Sequence, residues 1–369
     1  MVSAVVGIRR PKNPNTSKSN PQTHSTNMKK IAILGAGPAG IEAAAVLAAN
    51  NCPVTLFEKE QQPLGNITDK AFLFPNFADA NEIAATLRSK LDNPNITLCC
   101  NTEITQLTPS YITGFQQEQL TGSPVWKVNE ELFDVVLLAT GYTPFDARRK
   151  EELGYGIYPG VHTSLEIEKM IRENAIVNSL GEKPKRIVFL QCVGSRDEKS
   201  GNHYCSKLCC VTAVKQAIEV KKQLPDCEAY VFYMDLRMWG QHFEEMYRTA
   251  QQDYGVNFIR GRISEAGGTF DGRVQIKAED TLLGRPLKMT ADLLVLMVGM
   301  EASKGTRQLA TQCHICGDYG FAQSQDPHLH DCQTSANNLY VAGTCKRPMT
   351  LTDAINDGRS AALDILTSL

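Results

Sequence analysis

The sequence predicts an α/β fold built from two strand–turn–helix units. A buried strand at 30–34 is followed at once by a glycine-rich turn and an apolar helix. A second apolar strand, 186–190, is followed by a turn that carries cysteines where a nucleotide-binding loop would carry glycines. A third strand, 338–341, leads into a long C-terminal helix. Strands that alternate with helices in this way form parallel sheets.

The composition sets limits on the class of protein. The chain has 369 residues, 42% of them hydrophobic, which is enough for a large core and for two domains. Its net charge of −2 and pI of about 6.4 exclude a nucleic-acid footprint. No apolar run reaches membrane-spanning length, so we expect a cytoplasmic protein with no transmembrane segment. Residues 1–27 are rich in Asn, Ser, Thr and Pro and are predicted to form a disordered tail.

The first unit contains Gly35-Ala36-Gly37-Pro38-Ala39-Gly40, a G-x-G-x-x-G motif between a strand and a helix. The first glycine permits a tight turn, the second lets the backbone approach a pyrophosphate, and the third lets the helix pack against the strand. A second strand, 54–57, ends at Glu58, which comes 18 residues after Gly40. That carboxylate is well placed to bind a ribose hydroxyl. The unit therefore predicts a dinucleotide site.

Two later segments favour FAD over NAD as the dinucleotide. The strand 133–138 ends in Ala139-Thr140-Gly141, as in flavoproteins of the two-dinucleotide type. The last strand ends in Gly343-Thr344, where such flavoproteins usually have Gly-Asp, and its helix begins near Thr352-Asp353-Ala354. Because Asp353 would oppose the positive end of that helix, we expect its side chain to point elsewhere. The predicted FAD-binding residues are Gly35, Gly37, Pro38, Ala39, Gly40, Glu58, Lys59, Gly65, Ala139, Thr140, Gly141, Gly343, Thr344, Thr352, Asp353 and Ala354.

The second unit carries cysteines instead of glycines. Cys192, Cys205, Cys209 and Cys210 form a C-x12-C-x3-C-C pattern that ends at the start of a predicted helix. Four thiolates in one place are the ligand set of a [4Fe–4S] cluster. Such a cluster would occupy the space and the helix end that a pyrophosphate otherwise uses. We therefore predict that their sulfurs converge, and that metal binding has replaced nicotinamide binding.

The segments 139–170, 191–215 and 233–247 resemble HdrA, the flavin-binding component of heterodisulfide reductases, and its relatives. The resemblance extends over residues 28–369. In that family the four cysteines of this motif hold a [4Fe–4S] cluster, which the resemblance carries to Cys192, Cys205, Cys209 and Cys210. It also implies that Lys215 lies near the flavin, where a cation stabilises the anionic reduced form. A solvated helix face is the alternative interpretation of Lys215.

The resemblance implies a thioredoxin-reductase-like flavoprotein with a Rossmann-type FAD domain. The expected FAD domain comprises residues 28–159 and 289–369, and the inserted smaller α/β domain with the cluster comprises residues 160–288. The implied function is electron transfer between FAD, the [4Fe–4S] cluster and partner subunits that handle iron–sulfur centres and thiols. A homodimer is a further expectation from the family.

Two compact branches of the family fit the chain, which lacks the ferredoxin modules of the methanogen proteins. One belongs to the heterodisulfide-reductase-like complex of sulfur oxidation, which the compactness of the chain favours. The other is the corresponding flavin subunit of the quinone-interacting complex of sulfate reducers.

Other functions compete with this prediction. A self-sufficient NAD(P)H-dependent flavin disulfide reductase would need a second G-x-G-x-x-G, which the loop at Cys192 lacks. A scaffold with zinc on the same four cysteines has the right number of ligands. Cys313 and Cys316 form a separate CxxC that zinc or a redox disulfide could use, although packing is the simpler account.

Overall fold

The computed structural model of the protein describes residues 29–110 and 125–369, so the predicted tail at 1–27 lies outside the described residues. The strands are β1 (Ile31–Leu34), β2 (Val54–Phe57), β3 (Phe72–Leu73), β4 (Ala78–Asp79), β5 (Ile96–Cys99), β6 (Leu107–Ser110), β7 (Val125–Val128), β8 (Glu131–Phe133), β9 (Val135–Leu138), β10 (Tyr142–Pro144), β11 (Val161–Thr163), β12 (Arg186–Val193), β13 (Glu228–Tyr233), β14 (Asn257–Arg260), β15 (Ile263–Gly268), β16 (Val274–Asp280), β17 (Arg285–Ala291), β18 (Leu293–Val298), β19 (Met300–Ala302) and β20 (Leu339–Val341). The α-helices are α1 (Pro38–Ala49), α2 (Ala80–Ser89), α3 (Ser164–Arg172), α4 (Cys209–Gln223), α5 (Phe243–Gln252), α6 (Lys304–Gln312) and α7 (Leu351–Ser368).

The first sheet is parallel, with the strand order β20-β9-β1-β2-β5. Helices α1 and α7 pack on one face, and α6 and the antiparallel sheet β6-β7-β8 pack on the other. Because both faces are covered, all four residues of β1 and of β9 are buried. This explains why these strands read as unbroken apolar runs.

The second sheet is also parallel, with the order β11-β18-β12-β13-β14. Helices α3, α4 and α5 cover one face, and the antiparallel sheet β15-β16-β17 covers the other. Helix α4 buries Val211, Val214 and Ile218, as its apolar periodicity predicts. The second strand–turn–helix unit therefore exists, with the cysteines in its first loop.

The two connections between the sheets lie side by side. Strand β10 follows the first sheet, β19 follows the second, and the two pair antiparallel. The predicted domain boundaries at 159/160 and 288/289 differ from these connections. Phe145 and Leu153 already pack on the second sheet, and β18 lies inside it. Apolar pattern alone does not reveal which of two parallel sheets a buried strand joins, and this accounts for the difference.

Candidate functional site

A cavity of about 590 Å³ opens at the carboxyl ends of the first sheet and extends to the second. Ligands bind at this edge in open α/β sheets. The predicted residues that line it are Gly35, Gly37, Pro38, Glu58, Lys59, Gly65, Ala139, Thr140, Gly141, Thr344, Ala354, Lys215 and Cys209. One cavity thus joins the first glycine-rich loop to the cysteine segment.

The glycine-rich loop is tightly packed on its protein side and open on its cavity side. Gly35 has φ +114°, and a Cβ there would lie 2.3 Å from the carbonyl oxygen of Ala139. A Cβ on Gly40 would lie 1.9 Å from the carbonyl oxygen of Gly35. At Gly37, by contrast, a Cβ would meet no protein atom within 4 Å, although the residue lines the cavity. The loop therefore leaves free space where a pyrophosphate would approach the backbone.

Glu58 lies at the end of β2 and supports this loop. Its carboxylate accepts hydrogen bonds from the backbone N–H groups of Ala36 at 2.9 Å and of Glu60 at 3.0 Å. Each carboxylate oxygen keeps a free lone pair, so the residue still fits a ribose hydroxyl. Lys59 beside it pairs with Glu60 at the surface, 3.4 Å away.

Five of the predicted cofactor residues do not line the cavity: Ala39, Gly40, Gly343, Thr352 and Asp353. Gly343 packs against Ala39, where a Cβ would approach the methyl group to 2.8 Å. Thr352 is exposed. These residues shape the site through packing or face away from the cavity.

Asp353 points away from the cavity, as its charge at a helix N-terminus predicts. It forms a capping box with Thr350, and its carboxylate accepts a hydrogen bond from Lys207 at 2.5 Å. The negative charge is therefore paired, and the positive end of α7 stays available at Leu351 and Ala354, which line the cavity.

Several lining residues were not predicted. Asn66 donates a hydrogen bond to the hydroxyl of Tyr142 at 3.1 Å, and burial raises the pKa of that tyrosine. Lys70 also lines the cavity, and burial lowers the pKa of its amine. No motif marks these residues in the sequence, since the loop at 65–74 has no regular pattern.

Lys215 is buried, which overturns the alternative of a solvated helix face. Its ammonium donates to the carboxylate of Glu168 at 2.5 Å and to the carbonyl oxygen of Phe72 at 2.8 Å. Glu219 lies 3.3 Å away, and burial raises the pKa of its carboxyl to about 7. Lys215 thus lines the cavity while its charge is held by two carboxylates, and its role toward a flavin stays a prediction.

The cysteine segment begins at an irregularity of strand β12. The register with β18 shifts between Leu190 and Val193, and Cys192 has φ +61°. Arg196 and Lys207, in the same segment, also have positive φ. Non-glycine residues in this region carry backbone strain, which the surrounding structure must hold and which concentrates at functional sites.

The four cysteines lie in one neighbourhood. Cys192 and Cys209 share a hydrogen bond, and the charges of Cys192 and Cys205 both raise the pKa of Cys210. Cys209 and Cys210 open α4, as predicted, and are buried, while Cys205 is partly exposed. The sequence prediction required that Cys192 lie near the other three, and this arrangement meets it.

The electrostatics differ from thiol to thiol. The hydrogen bond with Cys209, together with Arg196 and Arg262, lowers the pKa of Cys192 to about 7 despite burial. Burial raises the pKa of Cys210 to about 11. A cluster needs all four as thiolates, so its binding would release protons here.

The geometry also bears on zinc. Within residues 29–110 and 125–369, no three His, Cys, Asp or Glu side chains converge as ligands of a single metal ion. This covers both the four-cysteine motif and the CxxC, of which Cys313 is buried and Cys316 exposed. A four-iron cluster is wider than one ion and takes its thiolates at separate corners, so the donor set fits a cluster better than zinc.

Curated relatives share extensive sequence with the chain. It is 43% identical over 237 residues to the HdrA of Methanococcus maripaludis, which belongs to an H(2)/formate:CoB-CoM heterodisulfide,ferredoxin reductase, and the match covers 62% of the chain and 36% of that protein. It is 28% identical over 429 residues to the HdrA of Methanosarcina acetivorans, which belongs to a ferredoxin/F(420)H(2)-dependent CoB-CoM heterodisulfide reductase, and here the match covers 94% and 54%. The chain belongs to the HdrA-like family. It spans between about a third and a half of the length of these relatives.

Other comparisons fix the fold of this HdrA-like chain. Residues 29–188 match the family profile described as "Pyridine nucleotide-disulphide oxidoreductase". The thioredoxin reductases of Lactococcus lactis and T. acidophilum each superpose with a TM-score of 0.63 at 16% identity, over 92% of the chain and 98% and 99% of theirs. The predicted two-dinucleotide-binding fold is confirmed. In the part of the HdrA-like chain that the structure describes, no helix is long and apolar enough to span a membrane.

Proposed function

We propose that this chain is an electron-transfer subunit that binds FAD at the first glycine-rich loop and a [4Fe–4S] cluster at Cys192, Cys205, Cys209 and Cys210. The observation that carries the proposal is that Cys209 and Gly37 line one cavity. FAD, when bound, exchanges electrons in pairs or singly, and an iron–sulfur cluster exchanges one at a time.

The residues of the chain have separate roles in this proposal. The backbone at Gly37 and the N-terminus of α1 would face the pyrophosphate, and Glu58 the ribose. The positive end of α7 would face the flavin, where negative charge develops on reduction. The cysteines span the distance from the cavity to the surface, since Cys209 lines the cavity and Cys205 is partly exposed. A single-electron route from the cofactor to the outside follows from that order.

The second loop supports an electron carrier over an NAD(P)H reductase. A Cβ at Gly194 would lie 2.0 Å from the ring of Phe145, so an aromatic side chain covers this loop. With cysteines in place of its glycines, the loop offers no open backbone comparable to Gly37. The electrons would therefore come from and go to protein partners.

The partners and pathway belong to the same proposal. The relatives are named as components of heterodisulfide reductases, so we propose that the chain works within such a complex in the cytoplasm. The resemblance favours a complex of sulfur oxidation, with the quinone-interacting complex of sulfate reduction as the alternative. Co-purification of partners with the tagged chain from its source distinguishes the two, since only the alternative brings down quinone-linked proteins.

The test is a pair of cysteine variants compared after anaerobic reconstitution. Cys209→Ser should abolish the broad iron–sulfur absorbance and the electron paramagnetic resonance signal of the reduced protein, because it removes one of four ligands. Cys227→Ser is the matched control, since Cys227 is buried in the same domain and lies outside the motif. Equal iron signals in the two variants would overturn the cluster assignment.

A further inference from the structure

The loop that follows β13 covers the cysteine segment on its outer side. The carbonyl oxygen of Asp235 lies 3.5 Å from the Cys210 sulfur, and the backbone of Arg237 also bonds to this thiol. The loop has no regular secondary structure between β13 and α5. The surface of the protein nearest to Cys210 is thus formed by residues 235–240.

An exposed indole lies on this loop. Trp239 is 58% exposed, and the ammonium of Lys207 lies 4.2 Å from the centre of its ring. The backbone N–H of Lys207 in turn donates to the Cys205 sulfur at 3.3 Å. The indole is therefore separated from a predicted cluster ligand by a single residue. Large exposed aromatic side chains are uncommon away from binding surfaces, where Trp and Arg are enriched.

Positive charge surrounds the same loop. Arg196 forms an ion pair with Asp235 at 2.6 Å, and the charges of Arg237 and Arg260 add to it in lowering the pKa of that carboxyl. Arg262 is exposed beyond β14, close enough for its charge to act on Cys192. Four arginines thus lie around the loop and the cysteine segment beneath it.

The charge balance of the surface is therefore basic. Lys207 is neutralised by Asp353, and Arg196 by Asp235, which leaves three exposed arginines unpaired by either carboxylate: Arg237, Arg260 and Arg262. Glu244 and Glu245 follow in the first turn of α5, so the basic surface ends where that helix begins.

We propose that the Trp239 patch, which consists of Trp239, Arg237, Arg260 and Arg262, is the docking site of an acidic one-electron carrier protein. The proposal rests on the proposed function, because it takes the cysteines beneath the patch to hold the cluster. Basic charge around an exposed aromatic anchor complements an acidic partner and speeds its encounter. A carrier docked there lies next to Cys205 and Cys210, the outermost part of the cysteine segment.

The experiment uses the anaerobically loaded protein and an acidic [2Fe–2S] ferredoxin as the probe, with binding measured by thermophoresis at several salt concentrations. A basic cytochrome c is the charge control. We expect Arg237→Glu/Arg262→Glu to weaken ferredoxin binding by roughly tenfold or more and to remove most of its salt dependence. Arg285→Glu/Lys288→Glu makes the same change of net charge on exposed residues of β17 and should leave the dissociation constant within about twofold of the original.

A second variant tests the aromatic anchor. Trp239→Ala should weaken ferredoxin binding by roughly tenfold while keeping the salt dependence, because it removes contact area and no charge. Equal binding by the original protein and both patch variants, or a preference for the basic cytochrome c, would overturn the proposal. Cofactor analysis of the same samples separates the two hypotheses: full iron and flavin with no effect of the patch refutes the docking site alone. Absence of the cluster refutes the proposed function and the docking site with it.

Discussion

Replacement of Gly37 by alanine should separate cofactor binding from folding. The residue is the N-cap of α1, with φ −77°, a backbone conformation that alanine adopts freely. A methyl group there meets no protein atom within 4 Å, so the unfolding free energy of the cofactor-free protein should fall by only about 0.5 kcal/mol, the loss from a poorer N-cap.

The same methyl group projects into the cavity where the pyrophosphate would lie. Overpacking by one methyl group costs about 1–3 kcal/mol in a close-packed site. Since each 1.4 kcal/mol corresponds to a factor of ten, the dissociation constant of FAD should rise roughly 5- to 150-fold. Gly40→Ala should behave differently, because its Cβ would lie 1.9 Å from the Gly35 carbonyl oxygen and must displace backbone.

The assay is FAD titration of deflavinated protein by fluorescence quenching, combined with urea unfolding of the same samples. Gly267→Ala is the matched control, because its Cβ also meets no atom within 4 Å and the residue lies on β15, outside the cavity. Unchanged FAD affinity in Gly37→Ala, with Gly267→Ala equally unchanged, would refute the placement of the pyrophosphate at this loop. A large loss of stability in Gly37→Ala would refute the claim that the loop is open on this side.

Three further predictions concern the buried charges and the electron donor. Lys215→Met should lower the unfolding free energy in urea by about 3–5 kcal/mol, since it leaves the Glu168 carboxylate buried without its cation; exposed Lys169→Met is the control, and equal effects would contradict the account. Burial raises the pKa of Glu219 to about 7, so the folded protein holds a proton that the unfolded chain releases above about 4.5, and the unfolding free energy should fall by up to about 3 kcal/mol as pH rises through this window. Glu219→Gln should flatten that dependence in urea titrations between these pH values, and an unchanged slope would exclude Glu219 as its source. Anaerobic NADH should not bleach the flavin absorbance within seconds, because the second loop carries cysteines instead of glycines, and rapid bleaching would favour the NAD(P)H reductase.

The glycine-rich loop and the parallel strands could be predicted because each depends on local pattern. A G-x-G-x-x-G between an apolar strand and a helix has one conformation, and the structure places Gly35, Gly37 and Gly40 in it. The burial of Lys215 had no such signal. Its partners Glu168 and Glu219 lie 47 residues before it and one helical turn after it, and only the packing of α3 on α4 brings the former close.

The docking patch was hidden for the same reason. Trp239 is an isolated aromatic residue in the sequence, and packing was the simpler account of it. Its exposure, its contact with Lys207 and the approach of Arg260 and Arg262 from the end of β14 exist only in the folded chain. Long-range pairing of loops is what sequence periodicity does not record.

The measurement that tests the account most directly is the iron, acid-labile sulfide and flavin content of the anaerobically purified protein. The account predicts about four iron and four sulfide for each FAD, with the absorbance of both chromophores in one visible spectrum. Flavin without iron or sulfide, even after anaerobic reconstitution, would contradict it. The cysteines beneath the patch would then need another explanation, and the chain would have to be reconsidered as a reductase or a zinc-binding scaffold.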